Sequence, residues 1–281
     1  MDLRHAFLGF GLPSKRSDAK VRAVSLRTVE ATRYVAALRE GGSVPAIVEA
    51  DDHKTYVLKY RAAAQGAKAL IAELVGGEVG RALGLPVPEI VLMNIDAQLG
   101  RTEPNPEVQL PLRASVGLNL ALEFLSGALP FDPAVWKPEG TLASRIVWFD
   151  AYIANVDRTV RNTNLLLWQH SLHLIDHGAS LYHQHDWATF ADNAASKFAA
   201  VRQHVLLPFA DSLMAVDEEL ASRLTPERLR EIVADIPDGW LGSDGAEPAA
   251  ARATYLEYLT RRVQAPRAFV QEAVNARSQL V

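Results

Sequence analysis

Residues 149–167 read FDAYIANVDRTVRNTNLLL, and residues 174–178 read LIDHG. An apolar helical pattern in the first stretch leads into a polar loop that contains Asp157 and, five residues later, Asn162. Two short apolar runs follow, and the second ends at Asp176. We expect residues 165–167 and 172–175 to pair as a hairpin across a turn at 169–171, which would carry Asp176 back beside the loop.

This set of residues is typical of a phosphotransfer site. Such a site needs one carboxylate to orient or deprotonate the acceptor, and a carboxylate with an amide oxygen to hold Mg²⁺ against the phosphates. Asp157, Asn162 and Asp176 supply that set. Taken alone, Asp157 and Asn162 fit ordinary turn and capping residues better, so the prediction depends on the complete set of residues.

Composition excludes several classes of function. The chain has 281 residues and no cysteine, which excludes disulfides, thiolate metal sites and cysteine nucleophiles. Its net charge of −4 gives no basic field for nucleic acid or an anionic membrane, so direct nucleic-acid binding is not expected. No apolar run approaches the roughly 18 residues of a membrane span, and the N-terminus lacks a signal-peptide pattern. We therefore expect a cytoplasmic protein.

A cluster of strand patterns precedes this region and supplies a candidate lysine. Residues 32–38, 45–49 and 55–60 are short and rich in β-formers, and we expect an antiparallel meander. Lys59 ends the third strand on the same face as Val57. A helix is expected over 67–83, where Glu73 can reach back and restrain Lys59 for phosphate binding, whereas Glu78 is better explained as solvated.

The order of elements predicts an α+β protein with two lobes around a nucleotide site. Residues 1–27 are interpreted as a loosely ordered leader, 28–126 as a β-rich nucleotide-binding lobe and 127–281 as a helical catalytic lobe. Further strands are expected at 87–95 and 118–125, around a polar insertion at 97–115. Helices are expected from a Thr141 cap onwards and at 196–207, 212–223, 225–235 and 248–277.

Three other patterns have competing explanations. The glycines at 76, 77, 80 and 84 resemble a dinucleotide fingerprint, but they lie within a predicted helix, which favours close packing. Arg158 and Arg161 could bind transferred phosphate or an acidic acceptor, or could form ordinary salt bridges. The histidines at 173, 177, 183 and 185 could ligate a transition metal, although ordering of the loop is the favoured explanation.

The sequence resembles the HipA-like kinases, which belong to the phosphatidylinositol-kinase-like branch of the protein-kinase fold. The resemblance covers roughly residues 30–235 and rests on DRTVRN at 157–162, LIDHG at 174–178, YVLKY at 56–60, AEL at 72–74 and LGLPVP at 83–88. It implies a bilobal protein-kinase-like fold and an enzyme that uses ATP and Mg²⁺.

The resemblance also implies a role for each candidate residue. Asp157 would be the catalytic base, Asn162 and Asp176 the metal ligands, and Lys59 the contact to the ATP phosphates. Backbone groups near Glu123 and Leu125 would hold adenine. The loop that covers the phosphates would lie at residues 41–44, including Gly42 and Ser43, although it lacks the usual glycine-rich repeat.

The expected reaction is transfer of the γ-phosphoryl group of ATP to a hydroxyl group, on a protein serine or threonine. Two alternatives stay open, a catalytically silent nucleotide-binding scaffold or sensor and a small-molecule kinase on the same fold. The best-studied family members are longer toxins with an extra N-terminal subdomain and a DNA-binding partner. That role and that partner are not carried over, and the acceptor is left unidentified.

Overall fold

The computed structural model describes residues 26–38, 45–63, 66–99, 101, 105–242 and 245–280. The first part contains a closed barrel of five strands, β1 (Thr28–Ala37), β2 (Ala46–Ala50), β3 (Thr55–Lys59), β4 (Ile90–Ile95) and β5 (Gly117–Glu123). Their order is β1-β2-β3-β5-β4, and only β1 and β4 are parallel. The first three strands form the predicted antiparallel meander.

Alternation along β3 decides where Lys59 lies. Tyr56 and Leu58 are buried in the barrel core, whereas Val57 and Lys59 are only partly buried on the other face. This alternation follows from the two-residue period of a strand. Lys59 therefore lies on the outer face of the barrel, with Val57, as predicted.

Two helices lie between the barrel strands. The first, α1 (Ala67–Ala82), agrees with the predicted helix and is followed by Gly84 at a φ of +75°. The second, α2 (Pro106–Ala114), lies in the insertion at 97–115, where no helix is predicted from the sequence. The Asn105 side chain caps α2, and Val108 and Leu112 are buried against the barrel core.

A second, three-stranded sheet follows the barrel and contains the predicted hairpin. Its strands are β6 (Leu129–Pro130), β7 (Leu165–Trp168) and β8 (Ser171–Leu174), in the order β6-β7-β8. The turn between β7 and β8 has two residues, Gln169 and His170, with φ of +48° and +62°. Positive φ at both positions is what a tight type I′ turn requires. The hairpin is confirmed, with a shorter turn than predicted.

The rest of the chain is mainly helical, so the fold is α+β as predicted. The helices are α3 (Gly140–Tyr152), α4 (Leu213–Arg223), α5 (Pro226–Ala234), α6 (Pro248–Val263) and α7 (Ala268–Ser278), with short 3₁₀ turns between residues 182 and 209 and at 238–240. Helix α3 is buried along most of its length, and Trp148, Phe149 and Tyr152 lie in the largest apolar core. It leads directly into the loop that contains Asp157.

Several boundaries differ from the predictions. Thr141 is not the cap of α3, because the helix begins at Gly140 and Glu139 occupies the cap position. The region 248–277 forms two helices, which are separated at the cis bond before Pro266, and the region 196–207 forms only 3₁₀ turns.

The predicted N-terminal leader differs as well. Arg27, which was predicted to belong to this leader, forms ion pairs with Asp52 and Glu89. Residues 1–25 lie outside the described residues, and the division into lobes at 126/127 stays a prediction.

Candidate active site

Three elements of the fold meet at Lys59. The Nζ atom of Lys59, at the end of β3, lies 2.6 Å from Glu73 Oε2 on α1. It also lies 2.6 Å from Asp176 Oδ1, two residues after β8. The predicted ion pair with Glu73 is therefore present. Glu78, in contrast, forms its ion pair with Arg81.

Burial and charge act in opposite directions on this cluster. The Glu73 side chain is fully buried and that of Lys59 is 16% exposed, whereas that of Asp176 is 47% exposed. Burial raises the pKa of Glu73, but the Lys59 charge and the neighbouring His177 outweigh it, so that the pKa of Glu73 lies well below its ordinary value. Burial likewise lowers the pKa of Lys59, and attraction to Glu73 and Asp176 reverses the effect and raises it. The buried pair is therefore ionised at neutral pH.

Asp157 lies in the loop after α3 and is held by two amides. Its Oδ2 accepts a hydrogen bond of 2.7 Å from Asn162 Nδ2 and one of 3.2 Å from Asn164 Nδ2. The backbone N–H of Asp157 donates to Asn155 Oδ1 at 3.1 Å. The structure thus brings Asp157 and Asn162 together, as predicted, and adds Asn164, which is not among the predicted site residues.

A fully buried aspartate holds the same loop through hydrogen bonds to its side chains. Asp150, in the last turns of α3, accepts from Arg158 Nε at 2.6 Å, from Asn155 Nδ2 at 2.8 Å and from His204 Nε2 at 2.9 Å. His204 Nδ1 accepts from the backbone N–H of Leu206, so Nε2 carries the proton that it donates to Asp150. Burial raises the pKa of Asp150, but Arg158 and His204 outweigh it and hold the pKa well below its ordinary value.

Arg158 also connects the two halves of the candidate site. Its guanidinium donates to the carbonyl of Asn164 and, at 3.3 Å, to the carbonyl of Ile175. The Ile175 N–H in turn donates to the Asn164 carbonyl at 3.1 Å. Arg158 is fully buried in these contacts, so the salt-bridge explanation is correct and direct binding of an acceptor by Arg158 is excluded. Arg161 is exposed.

The lowered pKa values predict a loss of stability in acid. Glu73 and Asp150 have folded-state pKa values below those of unfolded carboxylates, so the unfolded chain binds more protons as the pH falls through about 5 to 4. We expect the free energy of unfolding to be fully retained at neutral pH and to fall across that range, as measured by urea denaturation at a series of pH values. A flat profile down to pH 4 would contradict the ionised, paired state of both groups.

Glycines in α1 allow the segment after Asp176 to approach the helix. A Cβ atom added at Gly76 would lie 2.9 Å from the Cβ of His177 and 3.3 Å from Ile153 Cδ1. At Gly77 an added Cβ would instead meet the Cδ1 end of the flexible Ile90 side chain. These glycines serve close packing within a helix, which was the favoured explanation.

The variant Gly76→Ala is therefore expected to displace His177 and, with it, the adjacent Asp176. Overpacking of this kind costs about 1–3 kcal/mol, which exceeds the gain of about 1 kcal/mol from replacing a helical glycine by alanine. Gly77→Ala is the matched control, since it gains the same helix propensity and displaces only a side-chain terminus. Urea denaturation of both variants checks this, and equal stabilities would contradict it.

A cleft of about 390 Å³ lies beside the end of β5. Val35, Ile47, Thr55 and Glu123 are among the residues that line it. Ile47 pairs with Val57 across the β2–β3 ladder, and Val57 shares its face with Lys59. The cleft and the Lys59 amine therefore lie on the same side of the sheet, and its volume falls within the range of about 300–1,000 Å³ that is usual for ligand sites.

The residues predicted to hold adenine lie at the end of β5 and just after it. Glu123 ends β5, where its N–H donates to the Glu89 carbonyl at 2.8 Å. Leu125 follows in the connection to the second sheet, and its N–H has no partner among the residues that the structure describes. Gly42 and Ser43 lie outside the described residues. Within the described part of the chain, no group of three or more histidine or acidic side chains could hold a metal ion.

The fold is similar to a known kinase structure. The proinflammatory kinase CtkA from Helicobacter pylori matches with a TM-score of 0.52 and 12% identity, over 90% of this chain and 99% of CtkA. The Golgi casein kinase with Mn/ADP bound matches at a TM-score of 0.43 and 14% identity, over 90% of this chain and 74% of that one, a likeness too weak to support an inference. No curated protein sequence matches the chain. The similarity to CtkA shows a kinase-like fold.

The family assignment is more specific. The sequence profile of the HipA-like kinases matches residues 32–269, which is most of the chain. The chain therefore belongs to the HipA-like kinase family, and the resemblance given by its motifs is confirmed. It is accordingly a kinase, a phosphotransferase. Among the described residues, no helix is long and apolar enough to cross a membrane.

Proposed function

We propose that this chain is a kinase that transfers the γ-phosphoryl group of Mg²⁺-bound ATP to the hydroxyl group of a protein serine or threonine. The observation that carries the proposal is the Lys59 cluster. A single ammonium lies 2.6 Å from a buried carboxylate and 2.6 Å from a half-exposed one, on the same sheet face as a ligand-sized cleft.

The nucleotide would lie with its base in the cleft and its phosphates at Lys59. The N–H groups of Glu123 and Phe124 already donate to backbone carbonyls, so the Glu123 carbonyl and the Leu125 N–H are the groups proposed to meet the base edge. Glu73 restrains Lys59 in position for the phosphates. Gly42 and Ser43 are proposed to cover the phosphates, as the family resemblance implies.

The donor set fits Mg²⁺. This ion prefers oxygen ligands and is commonly held by one or two protein side chains together with substrate phosphates, so a cluster of three acidic groups is not required. Asp176 offers a half-exposed carboxylate, and Asn162, whose amide nitrogen donates to Asp157, offers its side-chain oxygen. Asn162 and Asp176 would hold the ion, which would neutralise phosphate charge.

Asp157 is proposed as the base. The acceptor oxygen forms a bond to the γ-phosphorus while the bond from that phosphorus to the bridging oxygen of ADP breaks, and Asp157 accepts the hydroxyl proton. The hydrogen bonds from Asn162 and Asn164 fix the carboxylate during this step. Positioning and electrostatic stabilisation supply most of the acceleration in reactions of this kind.

The proposal is tested by incubating the protein with Mg²⁺, ATP and serine, threonine and tyrosine peptide libraries. We expect phosphate on serine or threonine, in the peptides or in the protein itself, as detected by mass spectrometry. Transfer of AMP, or transfer to small molecules alone, would overturn the assigned reaction. Calorimetric binding of nucleotide without any transfer would favour the sensor.

Asp176→Asn provides a second test, directed at nucleotide binding. The neutral amide oxygen of asparagine is a weaker ligand for Mg²⁺ than the carboxylate that it replaces, and we expect the Kd for Mg²⁺-bound nucleotide to rise at least about tenfold. Calorimetry in the presence and absence of Mg²⁺ measures the effect. Asp192→Asn is the control, because that side chain is 83% exposed and lies in a different part of the fold. An unchanged Kd for Asp176→Asn would contradict its assignment as a ligand.

A further inference from the structure

A buried glutamine joins three elements next to the candidate site. Gln184, eight residues after Asp176, is fully buried. Its Nε2 donates to the carbonyls of Lys68 at 3.2 Å and Ser180 at 3.4 Å, and its Oε1 accepts from the Tyr255 hydroxyl at 2.8 Å. One amide therefore connects helix α1, the segment after Asp176 and helix α6.

These contacts fix the beginning of α1. Lys68 is the second residue of the helix, and its Nζ returns a hydrogen bond of 2.9 Å to the Gln184 carbonyl. Glu73 follows five residues later, roughly 7.5 Å along the helix axis. At the other end of α1, Arg145 and Arg223 each donate to the Leu83 carbonyl at 2.9 Å. Both ends of α1 are thus attached to the helical part of the chain.

We infer that Gln184 is a positioning residue, which holds α1 where Glu73 meets Lys59. An amide is required because the same side chain must donate to two carbonyls and accept from a hydroxyl. Glutamate at this position has the same shape but cannot donate when ionised, and its charge would face two carbonyl oxygens. The importance of Gln184 for catalysis rests on the proposed function, but the test of its positioning role does not require kinase activity.

The test is a double-mutant cycle of Gln184→Glu and Glu73→Gln, read from the equilibrium constant of unfolding in urea. If Gln184 holds α1 where Glu73 meets Lys59, its substitution breaks that contact together with its own hydrogen bonds. In the Glu73→Gln background the ion pair is already absent. We therefore expect Gln184→Glu to raise the unfolding constant by a factor about fivefold larger in the wild-type background than in the Glu73→Gln background.

General loosening of the protein would give a different result. It would raise the unfolding constant by the same factor in both backgrounds, and either that result or no increase at all would overturn the inference. Gln271→Glu, an exposed position on α7, is the control and should leave the unfolding constant within about twofold of the wild-type value. If Gln184→Glu does not fold, Tyr255→Phe, which removes only the hydroxyl that fixes the amide, carries the same comparison. Absence of phosphate transfer by the wild-type protein would refute the proposed function and leave the double-mutant cycle standing.

Discussion

Replacement of Asp157 by alanine is expected to lower kcat by about 10² to 10⁴, the usual contribution of a positioned general base. Nucleotide affinity should stay close to that of the wild type, because the hydrogen bonds of Asp157 within the described residues go to Asn155, Asn162 and Asn164 and not to Lys59 or Asp176. Initial rates of phosphate transfer from labelled ATP measure the first quantity, and calorimetry measures the second.

Measuring kcat and nucleotide affinity separately distinguishes the proposed role of Asp157 from that of Asp176. Asp176→Asn is expected to act on nucleotide affinity, whereas Asp157→Ala is expected to act on kcat. The control for Asp157 is Asp192→Ala, which removes a carboxylate in weak contact with Arg261 at 3.6 Å and should alter neither quantity. A variant Asp157→Ala with wild-type kcat would exclude Asp157 as the base and leave the acceptor hydroxyl without an assigned proton acceptor.

The parts of the site that were predictable are those set by local periodicity. Strand alternation placed Lys59 on the face with Val57, and the helical pattern placed Glu73 among apolar neighbours where it could reach that lysine. The hairpin pattern predicted that Asp176 lies close to the loop that contains Asp157. Each step needed only the two-residue period of a strand, the helical period or a turn signal.

The buried support of the loop was not predictable in the same way. Asp150 stands in an apolar helical run, and a carboxylate there must find hydrogen-bond partners, which was a usable signal. Its partner His204, however, lies 54 residues further along the chain, and no local pattern connects the two. The contact between Gln184 and Lys68, which are 116 residues apart, could not be predicted for the same reason.

Errors in the helices have local causes. Thr141 is the predicted cap of α3 because threonine is a favoured cap, yet the observed cap position, Glu139, lies two residues earlier and has no side-chain cap hydrogen bond. The region 196–207 has apolar spacing that also suits successive 3₁₀ turns, and five of these carry the chain from residue 182 to residue 209. Apolar spacing alone does not distinguish these two outcomes.

Replacement of Arg158 by methionine is expected to lower the free energy of unfolding by about 3–5 kcal/mol, as when one partner of a buried ion pair is removed. Methionine retains much of the apolar stem of the side chain. The Asp150 carboxylate, which has no exposed surface, would nevertheless lose the guanidinium that offsets the cost of burying its charge. The carbonyls of Asn164 and Ile175 would lose their shared donor as well. Urea denaturation at neutral pH measures the loss.

Arg161→Met is the matched control, because it makes the same substitution three residues away in the same loop, at an exposed position. It should change stability by less than about 0.5 kcal/mol. Adding Asp150→Asn to Arg158→Met removes the unpaired charge, so the double variant should be more stable than the sum of the two single losses predicts. Additive losses would show that Asp150 and Arg158 do not act as a pair. Since Arg158 connects the Asp157 loop to the end of β8, the same variant should also lower kcat at temperatures where it remains folded.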